Sequence, residues 1–179
     1  MVEILPLSPS RFNDIPFNPS DKIICRSCIY WELPTKFEDL LEGEISRREA
    51  EDLKREWLIR ASSVFEPLGC LAYEDERVVG YMQFSPPEMI PTIRYYGEEI
   101  SDDALFIACL MVLPQHRGRG VGSALLRFSV EVAEQRGFKA LETFASRRPD
   151  APSSPVGFFL KNGFRIVRSG EFPLMRRDL

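Results

Sequence analysis

The chain has 179 residues, a length that suits one domain, and its 44% apolar and 28% charged residues are typical of a soluble globular protein. His116 is the single histidine, so a His-rich zinc site is excluded and any Ser-His-Asp or Cys-His mechanism would depend on that imidazole. The net charge of −4 argues against a nucleic-acid-binding protein. The longest apolar run, 104–113, is too short to cross a membrane.

The charges are unevenly distributed along the chain. Residues 113–179 carry 12 Lys and Arg and 6 Asp and Glu, whereas residues 1–112 carry 11 and 21. The basic part suits an anionic ligand, and the alternative is that both parts are solvated surface. The first residues, MVEILPLSPS, have neither a basic start nor a long apolar stretch, so they do not predict a signal peptide. Four cysteines without such a signal predict reduced thiols in a cytoplasmic protein.

The N-terminal 45 residues are rich in proline and predict two short strands, at 2–5 and 23–31. A helix is predicted next, because Ser46 and Glu49 have the spacing of a capping box. Apolar residues at helical spacing follow and continue to about Phe65.

The rest of the chain alternates strands and helices. Two β-rich runs at 68–73 and 77–84 predict an antiparallel hairpin. The run 104–113 is apolar at nearly every position, which predicts a central strand covered on both faces. An amphipathic helix follows a glycine-rich turn and ends near Gly137. The last predicted elements are a strand at 138–144, a loop at 147–155, a short helix at 156–161, and strands at 164–168 and 171–176. Together these elements predict a mixed α/β single domain over 1–179.

The glycine-rich turn after the predicted central strand has the features of an anion-binding loop. Gly118, Gly120 and Gly122 carry no Cβ, so the backbone can approach a ligand closely or adopt a positive φ. The helix that follows offers unpaired amides and the positive end of its dipole, and Arg117 and Arg119 add charge. The turn matches neither a Walker A loop nor the dinucleotide pattern GxGxxG.

Two motifs resemble the GNAT (GCN5-related N-acetyltransferase) superfamily. Residues 112–126, VLPQHRGRGVGSALL, match the family's pyrophosphate loop, Q/R-x-x-G-x-G/A after a strand that ends in Val-x-Pro. Residues 156–164, VGFFLKNGF, are similar to its later signature, a short helix with F-Y-x-x-x-G-F before a strand. The resemblance implies a GNAT-like domain with an acetyl-CoA-binding core at 104–164 and a divergent segment at 1–45. It also implies a mostly antiparallel sheet in which one parallel strand pair splays apart.

The resemblance further implies an N-acetyltransferase that moves an acetyl group from acetyl-CoA directly to a primary amine of a small molecule or peptide, without a metal. An acetyl-CoA-binding regulatory or degenerate module without turnover is the alternative. Besides acetyl-CoA and the amine, a homodimer is compatible with the family. The residues that the resemblance assigns to acetyl-CoA are Leu110, Met111 and Val112 on the strand, Gln115, Arg117, Gly118, Arg119, Gly120, Val121, Gly122 and Ser123 in the loop, and Phe158 and Phe159 on the short helix.

The catalytic groups follow from the same resemblance. Some family members carry a catalytic Glu at the place of Glu142, which is therefore the candidate base, with a structural hydrogen bond as the alternative. Phe159 stands where the family commonly has a Tyr near the CoA sulfur, so another donor serves or the thiolate leaves with the help of water. Tyr95 and Tyr96 are also predicted to lie in a loop over the acceptor site, where they either shape the pocket or anchor the loop. The candidate proton donors are Tyr30, Tyr95, Tyr96 and Cys109.

Cys25 and Cys28 form a C-x-x-C pair on a segment predicted to be extended. A thioredoxin-like pair opens a helix and a zinc site needs a second pair, so partly buried thiols are preferred over a redox disulfide or a zinc site. Cys70 and Cys109 are isolated in separate predicted strands, and packing is preferred over a proton-donor role for Cys109. His116 falls at a variable place of the loop pattern, where contact with solvent or a phosphate is expected.

Overall fold

Seven strands form one mixed sheet flanked by helices within the residues that the computed structural model describes, namely 2–18, 20, 22–97, 99–148 and 155–179. The strands are β1 Glu3–Pro6, β2 Gly69–Glu74, β3 Arg77–Ser85, β4 Ala104–Val112, β5 Ala140–Phe144, β6 Arg165–Arg168 and β7 Leu174–Asp178. The helices are α1 Pro34–Glu42, α2 Arg47–Ser62, α3 Val121–Gln135 and α4 Val156–Lys161, with 3₁₀ turns at Pro9–Asp14, Pro87–Met89, Pro91–Tyr96 and Pro114–His116. No helix of this described part is both long and apolar enough to cross a membrane.

The sheet order β1-β2-β3-β4-β5-β7-β6 contains one parallel pair, β4 with β5. These two strands pair only from Ala104 to Phe106, opposite Ala140 to Glu142. The hydroxyl of Thr143 donates to the carbonyl of Ile107 at 2.8 Å where the strands begin to separate. Since β4 continues along β3 to its end, a gap opens between β4 and β5. We call this opening the β4–β5 gap, and it confirms the predicted mostly antiparallel sheet with one splayed parallel pair.

A bulge in β4 sets which side chains face each side of the sheet beside the gap. Gln83 of β3 pairs with Cys109, whereas Phe84 pairs with Ile107, so Ala108 is the extra residue. Cross-strand partners share a face of the sheet, and the bulge therefore turns Cys109 to the face of Gln83.

Local sequence signals account for most of the elements. The capping box is present: the amide of Glu49 donates to Ser46 Oγ at 3.2 Å, and the amide of Ser46 donates to Glu49 Oε2 at 2.7 Å. Helix α2 begins immediately after Ser46, as predicted, and Gly137 follows α3 in the left-handed conformation with φ 82°. The predicted hairpin, central strand and short helix are likewise confirmed.

The prediction of a strand at 23–31 is wrong. The segment forms turns, in which the amide of Cys28 donates to the carbonyl of Ile24 at 2.9 Å. Lys54 of α2 donates to the carbonyls of Cys25 and Cys28, groups that a strand would use for its ladder, so the segment packs on a helix instead of joining the sheet. Helix α1 was not predicted, and the last strand begins at Leu174 rather than at residue 171. Most of the predicted loop at 147–155 lies outside the described residues.

Candidate active site

The end of β4 borders the β4–β5 gap. Its first residues, Ala104 to Ala108, are buried, whereas Leu110, Met111 and Val112 are half-buried. This difference follows from the topology, because β5 ends at Phe144 and pairs only with the first three residues of β4. The backbone assigned by resemblance to the thioester arm therefore lies beside an opening.

The glycine loop, residues 115–120, leads from the end of β4 to α3. Gly118 and Gly120 have φ values of 73° and 84°, the left-handed region that favours glycine. A Cβ built at either position meets no described atom within 4 Å, so the loop surface is open. Gly120 is the N-cap of α3, and within the described residues no side chain caps the helix and its first turn holds no acid. The first-turn amides and the helix dipole therefore favour an anion at this point.

Charged side chains around the glycine loop bind one another. Arg117 Nε donates to the carbonyl of Val112 at 3.1 Å, which fastens the loop to the end of β4. Glu74, the last residue of β2, has its Oε2 2.9 Å from His116 Nδ1, and its Oε1 accepts from Arg119 Nη2 at 3.4 Å. His116, expected to meet solvent or a phosphate, thus contacts a carboxylate. The side chain of Arg119 is 57% exposed, so its long ion pair can be exchanged for a ligand anion.

Helix α4 packs against the start of α3, and this contact separates the two phenylalanines assigned to acetyl-CoA. Phe158 is half-buried and its ring lies against Gly122. Phe159 is 1% exposed and packs edge-to-face on Phe164, with ring centroids 5.0 Å apart, so its ring belongs to the core. The side chain of Val121 is also in the core at 2% exposure, which leaves only its backbone amide for a ligand.

Glu142 lies where β4 and β5 are still paired, and both of its carboxylate oxygens are engaged. Oε2 accepts from the amide of Ser101 at 2.9 Å, and Oε1 accepts from Arg176 Nη1 at 2.9 Å and from Ser101 Oγ at 3.1 Å. Arg176 also bridges Asp103 and Asp178, and these hydrogen bonds, led by that to Asp103, raise its pKa above the ordinary value. The geometry favours the structural alternative for Glu142.

An aromatic stack stands at the end of β5. The ring of Tyr96 lies parallel to Phe144 with centroids 4.1 Å apart, and on Trp31 with centroids 5.6 Å apart. The hydroxyl of Tyr30 donates to that of Tyr96 at 3.1 Å. Burial raises the pKa of Tyr96 above its ordinary value, so its hydroxyl stays protonated at neutral pH. Tyr95 is 56% exposed.

These tyrosines line a pocket of about 420 Å³ that the turn between β6 and β7 closes from the other side. We call it the tyrosine pocket. Because Phe144 is the last residue of β5, the pocket lies at the end of the strand that borders the gap. Its lining residues are Tyr30, Tyr95, Tyr96, Ser169, Gly170, Glu171 and Phe172.

A buried polar cluster lies on the same face as Cys109 and was not found from the sequence. Lys54 Nζ and Glu32 Oε1 are 3.0 Å apart, with the residues 5% and 2% exposed. Gln83 Nε2 donates to Glu32 Oε1 at 2.8 Å, and the hydroxyl of Tyr81 donates to Gln83 at 2.6 Å. The signal that could have revealed the cluster is the position of Lys54, which shares the buried face of α2 with alanine and leucine side chains.

Residues 28–164 match the family model described as the Acetyltransferase (GNAT) family. The chain belongs to this family. The chain is similar in structure to PaiA N-acetyltransferase from Thermoplasma acidophilum in complex with coenzyme A, with a TM-score of 0.61, 16% identity, and coverage of 100% of this chain and 99% of that one. It is also similar to Ard1 from Thermoplasma volcanium, with a TM-score of 0.55, 17% identity, and coverage of 99% and 97%. At these identities the neighbours show the shared fold.

Membership of the GNAT family supports acetyl transfer as the general class of reaction. In this GNAT domain the end of β4, the glycine loop and the N-terminus of α3 lie together, while the tyrosine pocket lies at the end of β5. Glu142 lies opposite Phe106, where β4 and β5 are paired, and binds Ser101 and Arg176. Across the described stretches of the chain, no three His, Cys, Asp or Glu side chains are grouped so that they could hold a metal ion.

Proposed function

We propose that this protein is an acetyl-CoA-dependent N-acetyltransferase that transfers the acetyl group directly to a primary amine. The observation that carries the proposal is the position of the β4–β5 gap beside the glycine loop and the uncapped N-terminus of α3. A ligand with a diphosphate next to a narrow amide-bearing arm suits both features. The diphosphate suits the helix N-terminus, and the arm suits the side of β4 beyond Phe106, along which β5 no longer pairs.

In this proposal, backbone amides from Arg117 to Ser123 bind the pyrophosphate. The backbone from Leu110 to Val112 runs beside the pantetheine arm. Arg117 keeps the loop fastened to β4 through the carbonyl of Val112, and Arg119 turns from Glu74 to a phosphate. Residues 117–120 are already exposed in the folded protein, so little conformational entropy is lost when this part of the loop binds a ligand.

The acceptor amine enters through the tyrosine pocket and attacks the thioester carbonyl from the end of β5. In the proposal, Tyr96 acts on the departing sulfur. The hydroxyl of Tyr30 donates a hydrogen bond to the oxygen of Tyr96, so the hydroxyl hydrogen of Tyr96 points away from Tyr30. A hydrogen bond to the thiolate is sufficient help, because a thiol with a pKa of about 8.5 is a tolerable leaving group.

Glu142 has a different part in the proposal from the one that its position in the sequence implies. Because its oxygens already accept from Ser101 and Arg176, we assign it to holding the paired end of β4 and β5. The amine then enters as its neutral form or loses its proton to water. Direct transfer remains possible without a strong base, since the arrangement of the reactants supplies much of the rate.

Thermal unfolding with acetyl-CoA tests the proposal. A ligand present at 100 times its Kd stabilises the folded state by about 2.7 kcal/mol, which raises the Tm by roughly 5–10 °C for a chain of this size. Gly120→Glu places a carboxylate at the N-terminus of α3 and should abolish the shift. Gly137→Glu is the matched control, because Gly137 has φ 82° and no described atom within 4 Å of a built Cβ, but lies at the other end of α3. No shift with millimolar acetyl-CoA would overturn the proposal.

A binding module without turnover is the second candidate, favoured by the core position of Phe159, which has no hydroxyl. A panel of primary amines separates the two candidates. An enzyme releases CoA thiol in proportion to amine, whereas a pure binder shows the thermal shift and releases none.

A further inference from the structure

Glu32 and Glu142 are the two buried carboxylates among the described residues, each 2% exposed. They differ in how fully their oxygens are used. Both oxygens of Glu142 accept hydrogen bonds, one from Ser101 and one from Arg176. Glu32 Oε1 accepts from Gln83, whereas Glu32 Oε2 accepts from no described group. A buried charged oxygen without a donor costs free energy, so its presence in the folded protein points to a donor that comes from outside the chain.

The surroundings of Glu32 fix its carboxylate through one oxygen. Lys54 Nζ lies 3.0 Å from Glu32 Oε1. The same ammonium donates to the carbonyls of Cys25 at 3.1 Å and Cys28 at 2.7 Å. These three contacts use the three N–H groups of the ammonium, so none remains for Oε2. Gln83 Nε2 also donates to Oε1, at 2.8 Å. Oε1 is therefore held twice, and Oε2 is left to accept a further donor.

The Glu32 carboxylate lies near the β4–β5 gap. Gln83, which binds it, pairs across the strands with Cys109 directly after the bulge. Cys109 lies beyond Phe106, the last residue of β4 that pairs with β5. Cross-strand partners share a face of the sheet. The Gln83 side chain therefore connects the Glu32 carboxylate to the part of the sheet that borders the gap.

Glu32 is also close in the chain to the tyrosine pocket. Tyr30, which lines the pocket, precedes Glu32 by two residues, and a chain of that length spans at most about 7 Å. The residue between them, Trp31, is half-buried and stacks on Tyr96, another residue of the pocket. An amine that enters through the pocket and reaches the gap therefore comes near Glu32.

We propose that Glu32 takes the proton of the acceptor amine, an inference that rests on the proposed acetyl transfer. The amine donates an N–H to Oε2 while the nitrogen lone pair attacks the thioester carbon. As the C–N bond forms, the nitrogen becomes positively charged and its proton moves to Oε2. The C–S bond breaks, and its electron pair leaves with the sulfur. The sulfur then takes a proton from water and Glu32 returns one to water, so the products are the N-acetyl amide and the CoA thiol.

The cluster around Glu32 suits this role in two ways. The carboxylate lies in a buried, water-poor place, where its negative charge stabilises positive charge on the attacking nitrogen more strongly than it would in bulk water. Lys54 and Gln83 already hold the carboxylate in one orientation, so it does not have to reorganise during the reaction. Glu142 offers neither oxygen to an amine, because both are engaged within the protein.

A pair of compensating substitutions tests the proposal. The double variant Glu32→Leu with Lys54→Met removes the carboxylate and its counter-charge together, so no unpaired charge is left in the core. We expect its kcat, with the most active primary amine of the panel, to fall by about 100-fold or more, the usual contribution of a proton acceptor. The thermal shift with acetyl-CoA should stay as in the wild type, since the glycine loop is unchanged.

Glu51→Gln is the matched control. Glu51 also lies on α2 and binds the segment 23–31, through Arg26 Nε at 3.2 Å, so the control removes a carboxylate and an ion pair between the same two elements. It should keep wild-type activity. A double variant that is folded and as active as the wild type would overturn the proposal and leave acetyl transfer intact. A wild-type protein without turnover would instead contradict the proposed function, and this inference with it.

A crystal structure of the wild-type protein with CoA and the same amine decides the question even if the double variant fails to fold. We expect the amine nitrogen at about 2.7–3.2 Å from Glu32 Oε2, the distance of a hydrogen bond. An amine bound elsewhere, with only a water molecule on Oε2, would overturn the proposal.

Discussion

Gly122 of α3 lies against the ring of Phe158 of α4. A Cβ on Gly122 would stand 2.9 Å from Cε2 and 3.0 Å from Cζ of that ring, closer than carbon atoms pack. Helix α4 therefore reaches the first turn of α3 only because the residue there has no side chain. The contact joins the glycine loop to the short helix, the two sequence motifs on which the family resemblance depends.

We expect Gly122→Ala to lower the free energy of unfolding by about 1–3 kcal/mol, the usual cost of overpacking, although alanine favours a helix. Urea unfolding measures the change. Gly157→Ala in α4 is the matched control, because a Cβ there meets no described atom within 4 Å. The control should be neutral or slightly stabilising. The double variant Gly122→Ala with Phe158→Leu should regain stability, because the leucine side chain is smaller than the phenylalanine ring that the new Cβ meets. A Gly122→Ala variant as stable as the wild type would contradict this account of the contact.

Because the ion pair between Lys54 and Glu32 is buried, removal of one partner should destabilise the protein more than removal of both. We expect Lys54→Met to lower the free energy of unfolding by about 3–5 kcal/mol, because it leaves the Glu32 carboxylate buried without a counter-charge. The double variant with Glu32→Leu should recover most of the loss, since two apolar side chains remove the unpaired charge. Chemical denaturation of the two variants tests the expectation. Additive losses in the double variant would show that the pair is not coupled.

Replacement of the Tyr96 hydroxyl should affect turnover rather than binding. We expect Tyr96→Phe to lower kcat by about 10- to 100-fold, the value of a hydrogen bond to a charged group, with the KM for acetyl-CoA unchanged. Tyr95→Phe is the control, because Tyr95 is 56% exposed, and it should retain full activity. Steady-state release of CoA thiol measures both variants. An unchanged kcat in Tyr96→Phe would remove Tyr96 from the mechanism.

Elements that depend only on short stretches of sequence were predicted well. The capping box set the start of α2, and the apolar run at 104–113 indicated a central strand, since each depends on neighbours along the chain. The segment 23–31 was mispredicted because its β-forming residues are held in turns by Lys54, a residue of another element. The cytoplasmic location, the homodimer and the lack of a metal stay predictions.

The sequence by itself determined the family and the place of the glycine loop, because a ligand-binding turn between a strand and a helix is encoded by adjacent residues. Only the tertiary structure decided what the other candidate residues do. It brought Glu142 to Arg176 and Tyr96 to Phe144. These pairs form across strands and over the face of the sheet. Such contacts depend on strand register and on the packing of distant segments, and neither can be predicted from residues that are adjacent in the sequence.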